Sequence, residues 1–242
     1  QAFGNSEKTY QAWNGVPSYL LDTDRSYNPC GEYEEDGVKK FYNNQTDNYW
    51  QHNYHLMASQ RIGDFWNMNL TLHYTDGNGY YEDYKSKAKF SSYKLPEYID
   101  PEGNTVKKTD LVRRKWLDNY FYGAVYSANY QRDNTRLTLG TAVNNYVGDH
   151  FCRVMWTKSA NVLPQPDYEY YRNTGKKLDY NAYAKLTQRL SPLFTGYLDL
   201  QYRGIHYTIK GNDDKAGEGL DIRKNWNFFT PKAGINFHNT GH

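Results

Sequence analysis

The sequence predicts an all-β protein, namely an antiparallel, up-and-down transmembrane β-barrel segment of about seven strands that forms an incomplete barrel. Three observations support this prediction. Aromatic residues make up 17% of the 242 residues although the mean hydropathy is −0.98. Seven segments alternate between apolar and polar side chains with period two, as expected of strands with one lipid face and one polar face. The connections between them alternate between short and long.

The composition excludes several classes of protein. Leu, Ile, Val and Phe together form less than a fifth of the chain, which is poor material for a soluble core, yet 26 Tyr, 10 Phe and 6 Trp argue against disorder. A net charge of +2 gives no indication of a nucleic-acid partner. No apolar run is long enough for a transmembrane helix. Cys30 and Cys152 are too few for a disulfide framework or a four-ligand zinc site.

The seven predicted strands are segments of ten or so residues with regular alternation. In the clearest one, Trp66, Met68, Leu70, Leu72 and Tyr74 alternate with Asn67, Asn69, Thr71, His73 and Thr75. The charged residues of these segments fall on the polar side, where they avoid the cost of facing lipid. That side is rich in Asn, Thr, Ser, Gln and Gly, whereas a soluble sandwich normally carries Lys and Glu there. The segments are 49–60, 65–75, 120–130, 136–146, 178–190, 194–206 and 229–237.

The connections predict the topology. Residues 61–64, 131–134 and 189–192 form short turns, while 76–115, 147–177 and 210–224 form long loops, the pattern of outer-membrane barrels with long outside loops. Residues 1–48 do not alternate well and are predicted to be an extracellular loop region, with a short helix within 6–24 and a charged loop at 32–40. Residues 49–242 are predicted to be the partial barrel.

Six stretches together resemble the barrel domain of TonB-dependent outer-membrane receptors, in particular an iron-chelate-type branch. They are TYQAWNGVP (9–17), LTLHYTDGNGYYEDYK (70–85), RRKWLDNYFYGAVYSANY (113–130), LTLGTAVNNYVGDHF (137–151), LDLQYRGIHYTIKG (198–211) and FFTPKAGINF (228–237). The likeness covers nearly the whole length.

This resemblance implies a receptor of the bacterial cell outer membrane that takes up a scarce nutrient by energy coupling to the TonB system. Such a barrel has about 22 strands around a plug domain. The plug, its energy-coupling peptide and most strands are missing here, so we expect a fragment that is inert alone. Its expected partners are membrane lipid, the TonB system through the missing plug, and a small-molecule or chelate ligand. No cofactor and no enzymatic activity are expected.

Aromatic residues in the predicted loops are the candidate ligand contacts, because rings stack on sugars, chelates or porphyrins. The alternative is an interfacial belt, which uses Tyr and Trp equally. Lys185, Asp199, Arg203 and Lys232 are polar-side charges that either line a ligand path or pair with neighbours or the plug. The candidate ligand contacts are Tyr80, Tyr81, Tyr84, Trp116, Tyr168, Tyr170 and Tyr171.

No metal site is predicted. Residues 75–81, TDGNGYY, lack the spacing of a calcium loop and are interpreted as a glycine-rich turn or strand extension. His52 and His55 are three apart on a strand and face opposite sides. His73 and His206 fall on opposite parities, and His150, His238 and His242 are scattered.

Two alternative functions remain open. One is a passive porin-like barrel, and the other is a soluble, aromatic-rich β module that binds carbohydrate. The identity of the substrate (iron chelate, haem, cobalamin or glycan) and the pairing of Cys30 with Cys152 also stay open.

Overall fold

A computed structural model describes residues 1–159, 162–214 and 219–238. Parts of two predicted loops, 160–161 and 215–218, and the C-terminal residues 239–242 with His242 lie outside this described part. Short 3-10 helices occur at Ser18–Leu20 and Phe90–Tyr93. The strands are β1 (Ala2–Tyr10), β2 (Glu32–Glu35), β3 (Val38–Phe41), β4 (Thr46–Ile62), β5 (Trp66–Lys89), β6 (Tyr98–Ile99), β7 (Thr105–Val106), β8 (Lys108–Arg132), β9 (Thr135–Thr157), β10 (Tyr168–Arg189), β11 (Phe194–Asn212) and β12 (Gly219–Phe237).

Eight strands form one antiparallel up-and-down sheet in the order β1-β4-β5-β8-β9-β10-β11-β12. The pairs β2–β3 and β6–β7 form separate two-stranded sheets. The predicted all-β, antiparallel fold is therefore confirmed, and each of the seven predicted segments lies largely or wholly within a strand of the main sheet. Within the described residues the sheet is open, since β1 and β12 are its two edges. A closed barrel is not formed by these strands alone.

The first 48 residues differ from the prediction. Where a short helix was expected from Ser6, residues Ala2–Tyr10 form β1, which pairs with β4 along its whole length. The predicted charged loop at 32–40 is instead the hairpin β2–β3. Asp36 and Gly37 connect its strands with positive φ angles of 54° and 75°, the geometry of a two-residue hairpin turn.

The prediction of long loops was wrong over much of their length, because the strands continue into these residues. The four central strands β5, β8, β9 and β10 have 24, 25, 23 and 22 residues. Apolar alternation ends before these strands do, because their far ends carry packing residues on both faces. The short turns were predicted correctly: Gly63 and Asp133, with φ of 59° and 45°, lie in two of them.

The register gives the sheet one apolar face and one polar face, since directly opposed residues of antiparallel strands share a face. At the end near the short turns, five successive rows of one face hold no Asp, Glu, Lys or Arg in the described strands. The middle row of this apolar face is Ala58, Leu70, Tyr126, Thr141, Ala182, Tyr202 and Phe229. Many of its large side chains are exposed, as in Leu56 (68%), Leu72 (42%) and Val143 (47%).

The polar face lies on the other side of the same residues. Several rows of the polar face extend from β4 to β12. The second of these rows, counted from the turns, contains amides, hydroxyls and one phenol rather than aliphatic side chains. The row is Ser59, Asn69, Ser127, Gly140, Tyr183, Gln201 and Thr230.

The segment 90–107, here called the cap, folds over the polar face at the end far from the turns. Phe90 is fully buried, and Tyr93 and Leu95 are nearly so. They join the main buried cluster of the chain, whose other members are Leu111, Cys152, Val154, Val162, Tyr170 and Tyr171. The main buried core of the described chain therefore lies under the cap and not on the apolar face.

The hairpin β2–β3 packs at the same end of the sheet beside β5. The ring centroid of Tyr33 lies 4.3 Å from that of Tyr84. The Tyr42 hydroxyl donates a hydrogen bond to Glu82, and Lys158 forms an ion pair with Glu35 at 3.1 Å. Glu82 belongs to the face opposite the cap, so the far ends of the strands are covered on both sides.

Pro231 lies inside β12, opposite Leu200. Because β12 is an edge strand, a residue without an N–H is tolerated there. No helix of the described chain has the length and apolar character needed to cross a membrane.

Candidate functional site

A pocket of about 530 Å³ opens on the polar face beside the cap. It lies where five strands, β1, β4, β5, β8 and β9, and the start of β10 meet. The residues that border it are Glu7, Asp47, Tyr49, Gly79, Tyr80, Tyr81, Lys115, Trp116, Leu117, His150 and Tyr171.

Strand register brings the central pocket residues together. Asp47 lies opposite Tyr81, and Tyr81 lies opposite Lys115. Lys115 in turn lies opposite Cys152, and Cys152 lies opposite Tyr171. Since opposed residues share a face, one row supplies an acid, two phenols and an ammonium to the same side of the sheet.

Lys115 is the pocket's basic group. Its Nζ forms an ion pair with Oδ2 of Asp214 at 2.6 Å, and it lies over the ring of Tyr171 at 5.9 Å from the centroid. Burial disfavours the charged ammonium, but the hydrogen bond to Asp214 and the nearby Tyr81 outweigh it and raise the pKa of Lys115 to about 12. Lys115 is therefore charged at neutral pH, and Asp214 neutralises it.

Glu7 and Asp47 form an acidic side of the pocket. Partial burial, and then the neighbouring carboxylate of Glu7, raise the pKa of Asp47 above its ordinary value. Neither carboxylate forms an ion pair with a cation of the described chain. Both have acceptor positions available for hydroxyl, amide or cationic groups.

Three tyrosines supply the aromatic surface. Tyr81 packs edge-on against Trp13, with ring centroids 4.8 Å apart, and burial raises its pKa. Burial also raises the pKa of Tyr171 to about 12. The hydroxyl of Tyr49 donates to Oδ1 of Asn119 at 3.0 Å. The phenols of Tyr81 and Tyr171 are therefore protonated at neutral pH and can donate hydrogen bonds, and all three rings can stack.

The cap is fixed beside the pocket by a buried ion pair. Arg113 contacts both carboxylate oxygens of Asp83 at 3.1 Å, and the two side chains are only 14% and 4% exposed. The guanidinium also donates to the hydroxyl of Tyr170 at 3.3 Å and lies over the ring of Tyr93 in the cap. This contact ties the cap to β5, β8 and β10.

The predicted ligand-contact residues are divided among three places. Tyr81 and Tyr171 contribute to the pocket. Tyr170 is buried under the cap, and Tyr168 packs there with its hydroxyl on the Lys94 carbonyl oxygen at 3.2 Å. The register places the other three side chains on the opposite face: Tyr80, Tyr84 and Trp116.

On that opposite face Tyr80 and Trp116 belong to a row of aromatic rings in contact with one another. Their centroids are 4.5 Å apart, and Trp116 stacks on Phe151 at 5.9 Å. The guanidinium carbon of Arg172 lies 3.9 Å from the Phe151 centroid. Tyr80 and Trp116 border the pocket, but their rings are engaged in this row. Tyr84 instead donates to Asp110 at 2.8 Å and packs on Tyr33.

Sequence reasoning missed the pocket's charged residues, Glu7, Asp47 and Lys115, together with Tyr49 and His150. These five residues come from four strands, β1, β4, β8 and β9, and only Asp47 and Tyr49 share a strand. Their proximity follows from register, which the alternation pattern does not give. The pattern did signal Tyr49, since it starts the first predicted strand.

The two cysteines do not pair. Cys30 and Cys152 are both free and buried, and burial raises the pKa of Cys152 to about 11. Among the described residues there is no group of three or more His, Cys, Asp or Glu able to hold a metal ion. Residues 75–81 are a continuous part of β5, which agrees with the strand-extension interpretation.

Comparison with known proteins adds no identification. No family model and no curated protein match the chain.

Proposed function

We propose that this chain is part of the wall of a bacterial outer-membrane receptor that takes up a scarce nutrient with energy supplied through the TonB system. The observation that carries the proposal is the apolar face: five charge-free register rows with exposed Leu, Val, Tyr and Phe side chains. An exposed apolar area of this extent needs a covering. Lipid fits, because the opposite face carries charged, amide and hydroxyl side chains along the same strands, with Met57, Val125 and Phe228 among the apolar exceptions.

The dimensions of the apolar face fit a bilayer. Its rows run from Ile62 to Tyr54 on β4, which is about 27 Å along the strand at roughly 3.4 Å per residue. The row farthest from the turns contains Tyr54, Tyr74 and Tyr122, as expected for an aromatic belt at an interface. In this proposal the sheet is an incomplete transmembrane barrel, and further strands of the parent protein close it.

The pocket is the proposed ligand site. It lies beyond the tyrosine row, at the end opposite the short turns, which corresponds to the extracellular side of an outer-membrane barrel. Tyr49, Tyr81 and Tyr171 provide stacking surface, and Glu7, Asp47 and Lys115 provide polar contacts. The candidate ligands remain an iron chelate, haem, cobalamin or a glycan.

The test uses the complete parent receptor. In planar bilayers without an energy source we expect no sustained solute flux, and in cells we expect uptake that disappears when the TonB protein is deleted. A freely conducting channel would identify a passive porin instead. If the chain expressed alone were a detergent-free monomer with cooperative unfolding, the membrane-wall proposal would be wrong.

A further inference from the structure

The two acids of the pocket lie on the same side of it, beside one aromatic ring. Glu7 lies directly opposite Tyr49, and Asp47 lies two residues before Tyr49 on β4. Residues two apart on a strand point to the same face, and diagonal neighbours of an antiparallel pair are about 7–8 Å apart. One ligand group can therefore contact both carboxylates and the Tyr49 ring together.

The ring of Tyr49 lies against the main chain of β5. A Cβ added at Gly77 would overlap its hydroxyl oxygen, and one added at Gly79 would lie 2.6 Å from its Cδ2. Two successive residues of this face thus lack the side chain that would push the ring away, and the hydrogen bond to Asn119 holds its hydroxyl end. Since β5 covers one face of the ring, the other face is directed to the pocket that Tyr49 lines.

Neither carboxylate has a cation beside it in the described chain. The hydrogen bonds that they accept come from uncharged groups, namely the Thr9 hydroxyl to Glu7 at 3.2 Å and the main-chain N–H of Asn48 to Asp47. Neither forms an ion pair with a described residue. Two carboxylates at this separation repel each other, and a positive group between them would remove that repulsion.

The lysine of the pocket does not neutralise these acids. Lys115 lies on β8, two strand spacings from Asp47, or about 10 Å at roughly 4.8 Å per spacing. Its ammonium contacts Asp214 at 2.6 Å instead. With Asp214 included, three acids stand against one lysine, so the side of the pocket formed by β1 and β4 carries excess negative charge.

We propose that the pocket takes a ligand that presents a cationic group, a guanidinium or a primary ammonium, to Glu7 and Asp47 over the ring of Tyr49. The proposal rests on the proposed function, because it names the ligand class of the same site. A guanidinium can bind a carboxylate through two parallel hydrogen bonds and stack on an aromatic ring at the same time. An ammonium is likewise attracted to the face of a tyrosine ring.

The same arrangement selects against anionic ligands. A carboxylate or phosphate placed over Tyr49 would meet Glu7 and Asp47 and would add a third negative charge at the same point. Specificity of this kind comes from repulsion of the wrong ligand as much as from attraction of the right one. Among ligands of equal size and shape, the pocket therefore favours the one with a positive end.

The experiment uses two probes that differ only at one end. N-acetyl-arginine amide carries a guanidinium, and N-acetyl-citrulline amide carries an uncharged urea of nearly the same shape. Binding of each probe to the complete parent protein in detergent micelles is measured by saturation-transfer NMR titration. We expect the guanidinium probe to bind roughly tenfold more tightly, because it alone forms charged hydrogen bonds with the two carboxylates.

Two double variants test which acids are responsible. Glu7→Gln/Asp47→Asn keeps the shape of both side chains and should abolish the preference for the guanidinium probe. Because it also removes a repulsion between like charges, its thermal unfolding temperature should not fall. Asp76→Asn/Asp118→Asn is the matched control, since it removes two acids from the opposite face of β5 and β8 and should leave the preference unchanged.

Substitutions of Tyr49 test the aromatic contact. Tyr49→Phe keeps the ring and should keep the preference, whereas Tyr49→Leu should reduce it. Equal binding of the two probes to the wild type, binding of neither, or a preference that survives in Glu7→Gln/Asp47→Asn would overturn the cationic ligand. Uptake that persists without the TonB protein, together with charge-dependent probe binding, would overturn the proposed function and leave the ligand class of the pocket standing.

Discussion

The ammonium of Lys115 lies 2.6 Å from the carboxylate of Asp214, although the two residues are 99 positions apart in the chain. This ion pair joins the pocket on β8 to the connection that follows β11. Burial opposes the charged form of both groups, but their mutual hydrogen bond raises the pKa of Lys115 and lowers that of Asp214.

The pair should therefore stabilise the fold over a defined pH window. The contribution of Asp214 is present above its unfolded pKa of about 3.9 and is lost as the pH falls through the lower folded value. The contribution of Lys115 is present below about 10.4 and is lost as the pH rises through the folded pKa of about 12. We expect Asp214→Asn to cost about 1.5–3 kcal/mol inside this window and little outside it. Unfolding of the protein at several pH values measures this, and a pH-independent cost would contradict it.

Two tyrosines of β5 on opposite faces test the position of the proposed ligand site. Tyr81→Ala removes a ring from the pocket and should weaken ligand binding by roughly tenfold, or about 1.4 kcal/mol. Tyr84→Ala removes a ring that packs on Tyr33 on the other face, outside the pocket, and should change affinity little. Titration calorimetry with the proposed ligands, namely an iron chelate, haem, cobalamin and a glycan, gives the comparison. Equal losses for both variants would indicate a general structural effect instead.

The assignment of the two faces can be tested at neighbouring positions of β5. Leu70 belongs to the middle row of the apolar face, and Thr71 belongs to the polar face. If the sheet forms the proposed membrane wall, Leu70→Arg should cost about 2–4 kcal/mol because the charge would face the centre of the bilayer, whereas Thr71→Arg should cost far less. Folding titrations into lipid vesicles measure both. If Thr71→Arg were the more costly change, the faces would be reversed.

The buried pair of Arg113 and Asp83 should control attachment of the cap. Arg113→Met leaves the Asp83 carboxylate buried without its main partner and should cost about 3–5 kcal/mol. Limited proteolysis should then cut within residues 90–107. The double variant Arg113→Met/Asp83→Leu removes both charges and should recover much of the loss. A double variant as sensitive as the single one would show that the ion pair is not what holds the cap.

The sequence predicted the strands where one face is apolar and the other polar, but not their extent. In β5 the pattern is regular from Trp66 to Thr75 and then gives way to Asp76, Gly77, Asn78 and Gly79, although the strand continues to Lys89. Beyond the apolar rows both faces meet protein side chains, so no period-two pattern is required. β1 was missed for a related reason, since its polar residues lie at the edge of the sheet and are exposed throughout.

The candidate site was only partly predictable. Aromatic clustering pointed to Tyr81 and Tyr171, which the pocket contains. It pointed equally to Tyr80 and Tyr84, whose side chains lie on the face opposite the pocket, because successive side chains of a strand alternate between the two faces. Lys115 and Asp47 carried no local signal, since they share a row with Tyr81 and Tyr171 only through register across five strands, β4, β5, β8, β9 and β10.

The three register shifts of the main sheet all lie at the far ends of the strands, between Lys85 and Ala88, at Val112 and Arg113, and between Glu169 and Tyr171. Across the apolar rows the pairing is uninterrupted, so inserting or deleting one residue there would exchange the two faces of a strand. Beyond the shifts, an extra residue changes only local geometry. Changes of chain length can therefore accumulate in the half that carries the pocket and the cap, while the other half keeps a fixed residue count. The same polypeptide thus contains a region whose length can vary around the pocket and the cap and a region whose length is constrained.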